Sequence, residues 1–384
     1  MTVSSSSMSS WQRCGHIASG SFGHVSLALN LEDGSFFAAK SCRSSRSSDP
    51  SSLYMLSLLN ELDILKSLSS PYILRCVGAD FDVPCRSSAS SSSSSSSVCS
   101  SFFSDQGDTF SSLSSSSSSW GSYSSSSSSY NRRILRSIFL EYMEGGSLAE
   151  RLGRSGGKFP DEALAAHYTR AILHGLDYLH RNGIVHCDIK PKNILIGTSG
   201  TNIGDFGSAR RVGHESSMDG MLRGTPLYMA PEVVQGLEQG PPSDIWSLGC
   251  TLVHMLEGQA PWAKIQCLPA LFLKIGNSNE APPLPENISA EARDFLLQCL
   301  QRDPKLRPTA AHLLRHPFLL SSVQKPDLMA IVDRSMQDAS ESDPEGSLTS
   351  SIDMLSDYDY TCREGLRCTC CQSLAPLCAS CYTS

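Results

Sequence analysis

Basic charge is in deficit in this 384-residue sequence: 31 Lys and Arg stand against 38 Asp and Glu, a formal net charge of −7. Nucleic acid, which is held by clustered basic side chains, is therefore excluded as the main partner. Long apolar runs are missing too, and none approaches the roughly eighteen residues from which a membrane helix is read. Cysteine is not scarce, at 15, but paired spacing is: Cys14, Cys42, Cys76, Cys187, Cys250 and Cys299 lie scattered. The opening MTVSSSSMSS has no apolar core of the kind a signal peptide needs. A secreted disulfide framework is thus not expected, and a reducing interior, cytosol or nucleus, is. Hydrophobic residues make up 40% of the chain, enough for a substantial core. The length exceeds one average domain, although a single two-lobed domain can fill most of it.

The chemistry is concentrated between Ile184 and Gly197, IVHCDIKPKNILIG, which sets Asp188, Lys190 and Asn193 on one short loop at spacings of two and three residues. A second carboxylate, Asp205, follows in the turn GDFG. Phosphoryl transfer asks for this kit: a carboxylate to hold the attacking hydroxyl, a cation beside the moving phosphoryl group, and oxygen ligands for magnesium. Each residue alone also has a bland reading, since polar loops between apolar runs are common. Together, HCDIKPKN, DFG at 205–207 and APE at 230–232 resemble the eukaryotic protein kinase signature set, in the family's order. The resemblance implies an α+β, bilobal protein kinase fold, a small β-rich N-lobe and a larger helical C-lobe, working with ATP and Mg2+. It covers 11–319, interrupted by a Ser-rich disordered insert at 86–130. A disordered N-terminus at 1–10 precedes it, and an acidic, then Cys-rich tail at 320–384 follows.

From Trp11, WQRCGHIASGSFGHVSLALN alternates as two strands joined by a glycine turn. Ala18, Ser19, Gly20, Ser21, Phe22 and Gly23 match the family's glycine loop, with Ala18 at its first glycine. Glycines let backbone N–H groups face the phosphates. By itself this loop reads as a plain hairpin, and only the FFAAK that follows turns it toward a nucleotide loop. The strand FFAAK then ends in Lys40, which by resemblance pairs the α- and β-phosphates and a helix glutamate. That helix is expected over 53–68, where Leu58, Glu61, Leu62 and Leu65 recur at i, i+3, i+4 and i+7. A carboxylate on the inward stripe needs a cation, and Lys40 is at hand, so Glu61 is the expected partner. Asp63, the alternative, faces about 200° away at about 100° per residue.

Residues 71–81, PYILRCVGADF, read as a strand pair. The insert cannot bury enough apolar surface to offset the entropy of ordering, and reads as an inert spacer or a phosphorylation target. Extending a loop from about four to about forty-five residues costs only roughly 2 kcal/mol, so the lobe should survive it. ILRSIFLEY at 134–142 resumes the sheet. By resemblance, EYMEGGSL is the hinge between lobes. There the backbone at Glu141 and Met143 bonds adenine with Leu140 behind it, and Ile17, Val25, Ala38 and Leu195 sandwich the ring. Ser147 is placed to cap one helix. Residues 159–182 carry Ala163, Ala166, Ile172, Leu176 and Leu179 at helical spacing, up to an Asn182-Gly183 stop.

The catalytic roles follow from the same resemblance. Asp188 accepts or orients the proton of the substrate hydroxyl, and Lys190 neutralises the γ-phosphate, as in the Ser/Thr-specific branch. Asn193 and Asp205 hold magnesium. His186 and Phe206 read as packing residues alongside Leu65. Cys187 departs from the family's usual Arg, which pairs a phosphorylated residue of the activation segment between Asp205 and Glu232. A thiol cannot. With Ser216, Ser217 and Thr225 as available hydroxyls, the segment is expected to be held active without phosphate, or by another cation such as Arg210 or Arg211. A redox role for Cys187 needs exposure and a lowered pKa. Asp244 is expected to bond the catalytic-loop backbone, Arg307 to pair with buried Glu232, and Ser289 to cap a helix.

HCDIKPKN with GTPLYMAPE is most similar to plant MEKK-like mitogen-activated protein kinase kinase kinases. That implies a protein substrate, a mitogen-activated protein kinase kinase. The rival of another class is a pseudokinase-type scaffold recruiting signalling partners. Pseudokinases commonly lack one of the residues present here as Lys40, Asp188, Asn193 and Asp205. In the tail, Cys368, Cys371, Cys378 and Cys381 have a zinc-like spacing, while Cys381-Tyr-Thr-Ser sits where a prenylation signal stands, with upstream cysteines for palmitoyl groups and lipid-mediated membrane contact. An unmodified tail is the third reading. Residues 328–336 read as a short helix or docking peptide.

Overall fold

The computed structural model describes residues 10–20, 23–41, 53–82, 134–214, 220–278 and 280–320. Residues 1–9, the Ser-rich insert, Ser21 and Phe22, Ser216 and Ser217, and residues 321–384, with the disorder expected at the N-terminus and the zinc, lipid and helix readings of the tail, lie outside the described residues.

Five antiparallel strands form the first layer: β1 (Trp11–Gly20), β2 (Gly23–Asn30), β3 (Phe36–Ser41), β4 (Cys76–Asp82) and β5 (Ile134–Glu141), in spatial order β1-β2-β3-β5-β4. The alternation of β3 sorts the two faces of the sheet. Phe37 and Ala39 turn outward and join Ala28 and Phe139 in a small cluster. The Phe37 and Phe139 rings lie 4.8 Å apart, and Trp11 meets Phe139 edge-on at 5.3 Å. Ala38 turns inward to the main core, together with α1 (Leu53–Lys66). Lys40 shares that parity and is buried, opposite Val25 on β2 and Ile138 on β5. A lysine on the inward face of an apolar strand needs a buried anion, and this is what the site supplies.

Only part of 71–81 is a strand, contrary to the pair expected there. The backbone around Ile73 is engaged elsewhere: Leu74 N–H donates to Ile203 O, and Ile203 N–H donates to Tyr72 O, both at 2.9 Å. These bonds tie the sheet layer to the lobe below, and β4 starts only at Cys76.

The larger lobe is helical: α2 (Leu148–Arg154), α3 (Glu162–Arg181), α4 (Pro231–Val234), α5 (Pro241–Glu257), α6 (Leu268–Asn277), α7 (Ala290–Cys299), α8 (Ala310–Leu313) and α9 (Pro317–Leu320). Between α3 and α4 run the short strands β6 (Ile184–Val185), β7 (Ile194–Gly197), β8 (Gly200–Ile203) and β9 (Arg210–Arg211), paired β6 with β9 and β7 with β8. Ser147 starts α2 in a reciprocal cap: its hydroxyl accepts from Glu150 N–H, and its own N–H donates to Glu150 Oε2 at 2.6 Å. Helix α3 starts later than expected because Asp161 caps it, accepting from Ala163 N–H. Its Leu173, Leu176 and Leu179 are fully buried, each contributing about 1.5–3 kcal/mol. The chain leaves α3 through Gly183 at φ 67, a left-handed turn that suits glycine. Ser289 caps α7 as expected. Helix α5 is buried almost all round, Trp246 completely, and is the axis of this lobe. Among the described residues no helix is long and apolar enough to cross a membrane. The whole is the bilobal α+β protein kinase fold that the sequence resembles.

Candidate active site

One amine joins three segments of the chain. Lys40 Nζ lies 2.5 Å from Glu61 Oε2 on α1 and 2.8 Å from Asp205 Oδ1 on the turn after β8. Glu61 is fully buried and also accepts from Phe206 N–H at 3.2 Å. Asp63 is exposed and faces Arg211 at 3.4 Å, so it is not the lysine's partner. Burial opposes the Lys40 charge, but Asp205 and Glu61 overcome it and hold the amine's pKa above its ordinary value. Burial also opposes ionisation of Asp205, yet Lys40, helped by Lys190, holds that carboxyl down at about 2. For Glu61 burial wins over Lys40 and pushes the carboxyl up.

The catalytic loop is held from below by Asp244, which is fully buried on α5. Its Oδ2 accepts from His186 N–H and its Oδ1 from Cys187 N–H, each at 2.9 Å. His180 Nε2 lies 2.9 Å from the same Oδ2, a partner that spacing alone did not reveal. On the loop, Asp188 N–H donates to His186 Nδ1 at 3.3 Å, leaving Nε2–H to donate to Gly204 O at 3.0 Å. One tautomer satisfies both bonds, and the ring packs edge-on against buried Phe206 at 4.9 Å. Both are packing residues.

Asp188 is fixed by three neighbours. Lys190 Nζ stands 2.9 Å from Oδ2, Asn193 Nδ2 donates to Oδ2 at 3.1 Å and to the Asp188 carbonyl at 2.8 Å, and Thr225 Oγ1 donates to Oδ1 at 2.7 Å. Lys190 Nζ also donates to Thr225 Oγ1 at 2.6 Å. Thr225 was expected as an available hydroxyl; it is half-buried and engaged on both sides. Its bond to Asp188, 37 positions away, is what the sequence reading did not foresee.

Asp205 and Asn193 suit magnesium. The Asn193 amide N–H groups are engaged by Asp188, which leaves its oxygen as the ligand atom, and Asp205 adds a carboxylate. That is the hard-oxygen donor set Mg2+ prefers.

Strand register sets the positions expected from the resemblance to face a nucleotide. Ala18 pairs with Val25, Ser19 with His24, and Gly20 with Gly23. Among the described residues of this loop Gly23, at φ 140, needs glycine's freedom, whereas Ala18, which follows a shift in register after His16, has no positive φ, so alanine fits there. Ile17 is exposed, Val25, Glu141 and Leu195 are half-buried, and Ala38, Leu140 and Met143 are buried. Cavities of about 390 and 360 Å³ lie elsewhere, beside the activation segment and behind α3 and α5.

Cys187 is buried, at φ 68. Burial pushes its thiol well above the ordinary value, Asp244 adds to this, and Arg223 and Arg210 only partly offset it. The conditions for a redox thiolate are not met. Of the two stand-in cations expected from the sequence, Arg211 donates to Ser67 Oγ at 3.0 Å and faces Asp63, and Arg210 Nη1 donates to Gln239 O at 3.1 Å. A different arginine, Arg223, is buried inside the segment and donates to Ala209 O at 3.0 Å. Next to it, Gly224 sits at φ 110, where a Cβ would strike the Cys187 carbonyl. Beyond, Arg307 Nη1 and Nη2 meet the two oxygens of Glu232 at 2.6 and 2.7 Å, with the guanidinium 5.1 Å above the Trp246 ring.

Comparison with known proteins points the same way. The family model described as "Protein kinase domain" matches residues 124–319. "Mitogen-activated protein kinase kinase kinase A" of Dictyostelium discoideum is 35% identical over 314 residues, 81% of this chain and 28% of that protein. "Mitogen-activated protein kinase kinase kinase 2" of Arabidopsis thaliana is 32% identical over 334 residues, 85% of this chain and 43% of that protein. "Mitogen-activated protein kinase kinase kinase 17" of Arabidopsis thaliana is 41% identical over 206 residues, 53% and 54% of the two chains. This chain thus spans between 28% and 54% of the length of these relatives, and the likeness is not confined to plant proteins.

Proposed function

The chain belongs to the protein kinase family, and from that premise we propose that it is a serine/threonine protein kinase, transferring the γ-phosphate of ATP to a mitogen-activated protein kinase kinase within a signalling cascade. The observation that carries the proposal is the Lys40 amine held 2.5 Å from Glu61 and 2.8 Å from Asp205.

In this reading the kinase domain is 11–319. The loop strands ending at Gly20 and starting at Gly23 serve the phosphates, Lys40 grips them, and Glu61 holds Lys40 in place. Ile17, Val25, Ala38 and Leu195 flank the adenine, and the backbone of Glu141 and Met143 bonds its edge. Asp188 receives or orients the proton of the incoming hydroxyl, in a position fixed by Thr225, Lys190 and Asn193. Lys190, 2.9 Å from Asp188, faces the charge that grows on the moving phosphoryl group. Asn193 and Asp205 hold Mg2+, which when bound neutralises phosphate charge. The low pKa of Asp205 keeps its carboxylate ionised for that task at any physiological pH. With Cys187 unable to receive a phosphate, the segment works without phosphorylation, in the cytosol or nucleus.

The test uses the purified full chain, labelled ATP and a mitogen-activated protein kinase kinase. Label on serine or threonine, lost by about a hundredfold or more in Lys40→Met, is the expected result. A Ser216→Ala/Ser217→Ala variant should keep its rate within about threefold. Label on tyrosine alone overturns the assignment, and near-total loss in the double variant overturns phosphate independence.

A further inference from the structure

We propose that Asn60 and Arg223 are positioning residues that together clamp the Ala209 carbonyl, holding the Asp205–Gly207 turn against α1 where Cys187 leaves no phosphate bridge. The proposal rests on the kinase reading and deepens it.

Asn60 adjoins Glu61 on α1. Its Nδ2 lies 3.2 Å from Phe206 O, 3.3 Å from Gly207 O and 2.8 Å from Ala209 O. Two N–H bonds are therefore shared among three carbonyls, with the shortest to Ala209. From the far end of the activation segment, Arg223 Nη1 reaches the same oxygen at 3.0 Å. A carbonyl has two lone pairs, and these two donors fill them. Ala209 is fully buried, so losing either donor leaves part of a desolvated acceptor unpaired.

The approach of α1 to the turn depends on residue 207 being glycine, because a Cβ there would strike Ser57 Oγ. On the face that α1 turns to this loop, Asn60 and Glu61 hydrogen-bond the main chain of Phe206, Gly207 and Ala209, beside the apolar contact of Phe206 with the core that α1 shares. Arg223 is followed by Gly224, packed on the Cys187 carbonyl, and by Thr225, bonded to Asp188. A continuous line of bonds thus runs from the residue beside Glu61, through Ala209, to the carboxylate proposed to receive the substrate proton. Neither donor titrates in the physiological range, so the clamp needs no modification to form.

The experiment compares the full-length wild type with Asn60→Ala, Asn60→Gln, Arg223→Met and the double variant Asn60→Ala/Arg223→Met. Three quantities are read: transfer rate at saturating ATP, the Mg2+ concentration for half-maximal rate, and amide hydrogen exchange over 206–211. Asn60→Ala is expected to lower kcat about tenfold with KM for ATP within about twofold, to raise the Mg2+ requirement several-fold, and to speed exchange over 206–211 about tenfold. Asn60→Gln, which keeps the amide donor, should recover part of each. Because both donors serve one carbonyl, the double variant should lie within about twofold of the worse single. Asn60→Ala within about twofold of wild type in all three quantities, or a double variant whose loss is the product of the singles, overturns the clamp. Should Arg223→Met not fold, exchange in Asn60→Ala alone decides, since unchanged protection over 206–211 contradicts the proposal. An inactive wild type removes the kinase reading instead, while the exchange result still judges the clamp.

Discussion

Thr225 and Asp188 meet through one hydrogen bond: the Thr225 hydroxyl donates to Asp188 Oδ1 at 2.7 Å while accepting from Lys190 Nζ at 2.6 Å. The activation segment and the catalytic loop therefore share a hydroxyl, and the carboxylate is oriented by the segment that follows it in sequence. Thr225→Ser, which keeps the hydroxyl, should stay within about threefold of wild type. Thr225→Val should lower kcat about ten- to hundredfold with little change in KM for ATP. Steady-state kinetics of the two variants check this, and equal rates contradict it.

The Glu232–Arg307 pair is buried and bidentate, at 2.6 and 2.7 Å. Removing one partner strands a charge in the interior. Arg307→Met should destabilise the fold by about 3–5 kcal/mol, and Glu232→Leu/Arg307→Met, which removes both charges, by clearly less. Urea denaturation of the three proteins measures the difference; a single-variant loss below about 1 kcal/mol argues against the pair as the anchor of the segment.

His254 lies 2.7 Å from Tyr228 OH through Nδ1, and burial pushes its imidazole from 6.5 down to about 4. Since Tyr228 donates to an unprotonated Nδ1, the folded state takes up this proton only in acid, whereas the unfolded chain takes it up near 6.5. The stability His254 contributes is complete above pH 6.5 and is lost as pH falls from there toward 4, by on the order of 3 kcal/mol. His254→Gln should flatten the pH dependence of the denaturation midpoint in that window. An unchanged slope excludes His254 as its source.

Cys187 is held as a buried, protonated thiol by its surroundings. Iodoacetamide at pH 8 should label it at least about a hundredfold more slowly in the native protein than in urea, without loss of activity. Peptide mass mapping reads the outcome, and rapid native labelling with inactivation would restore the redox reading.

How much of this could be read before the fold depends on the kind of partner each residue has. Glu61 was legible because helical period set it among Leu58, Leu62 and Leu65, and a buried carboxylate requires a cation. Asp188, Lys190 and Asn193 were legible because one short loop carries all three. Asn60 was not, since its partners are main-chain carbonyls 146 to 149 positions away, and a carbonyl leaves no trace in composition or spacing. Arg223 escaped for the same reason, while Arg210 and Arg211 drew attention by standing next to the DFG turn. The apolar run at Ile73 and Leu74 looks like strand to any pattern of hydrophobicity. Only the fold reveals that its backbone bonds go to β8. Thr225 was noticed but misjudged, because a hydroxyl in a polar loop looks free until the loop is closed onto Asp188.

The central claim is that Asp188 directs a protein hydroxyl at the γ-phosphate of ATP. It is tested most directly by measuring transfer of labelled γ-phosphate to a mitogen-activated protein kinase kinase with wild type and Asp188→Asn side by side. Wild type should label serine or threonine, and Asp188→Asn, still binding Mg2+ and ATP, should be slower by about a thousandfold. Equal rates from the two proteins, or no labelled polypeptide from the wild type, would contradict the account.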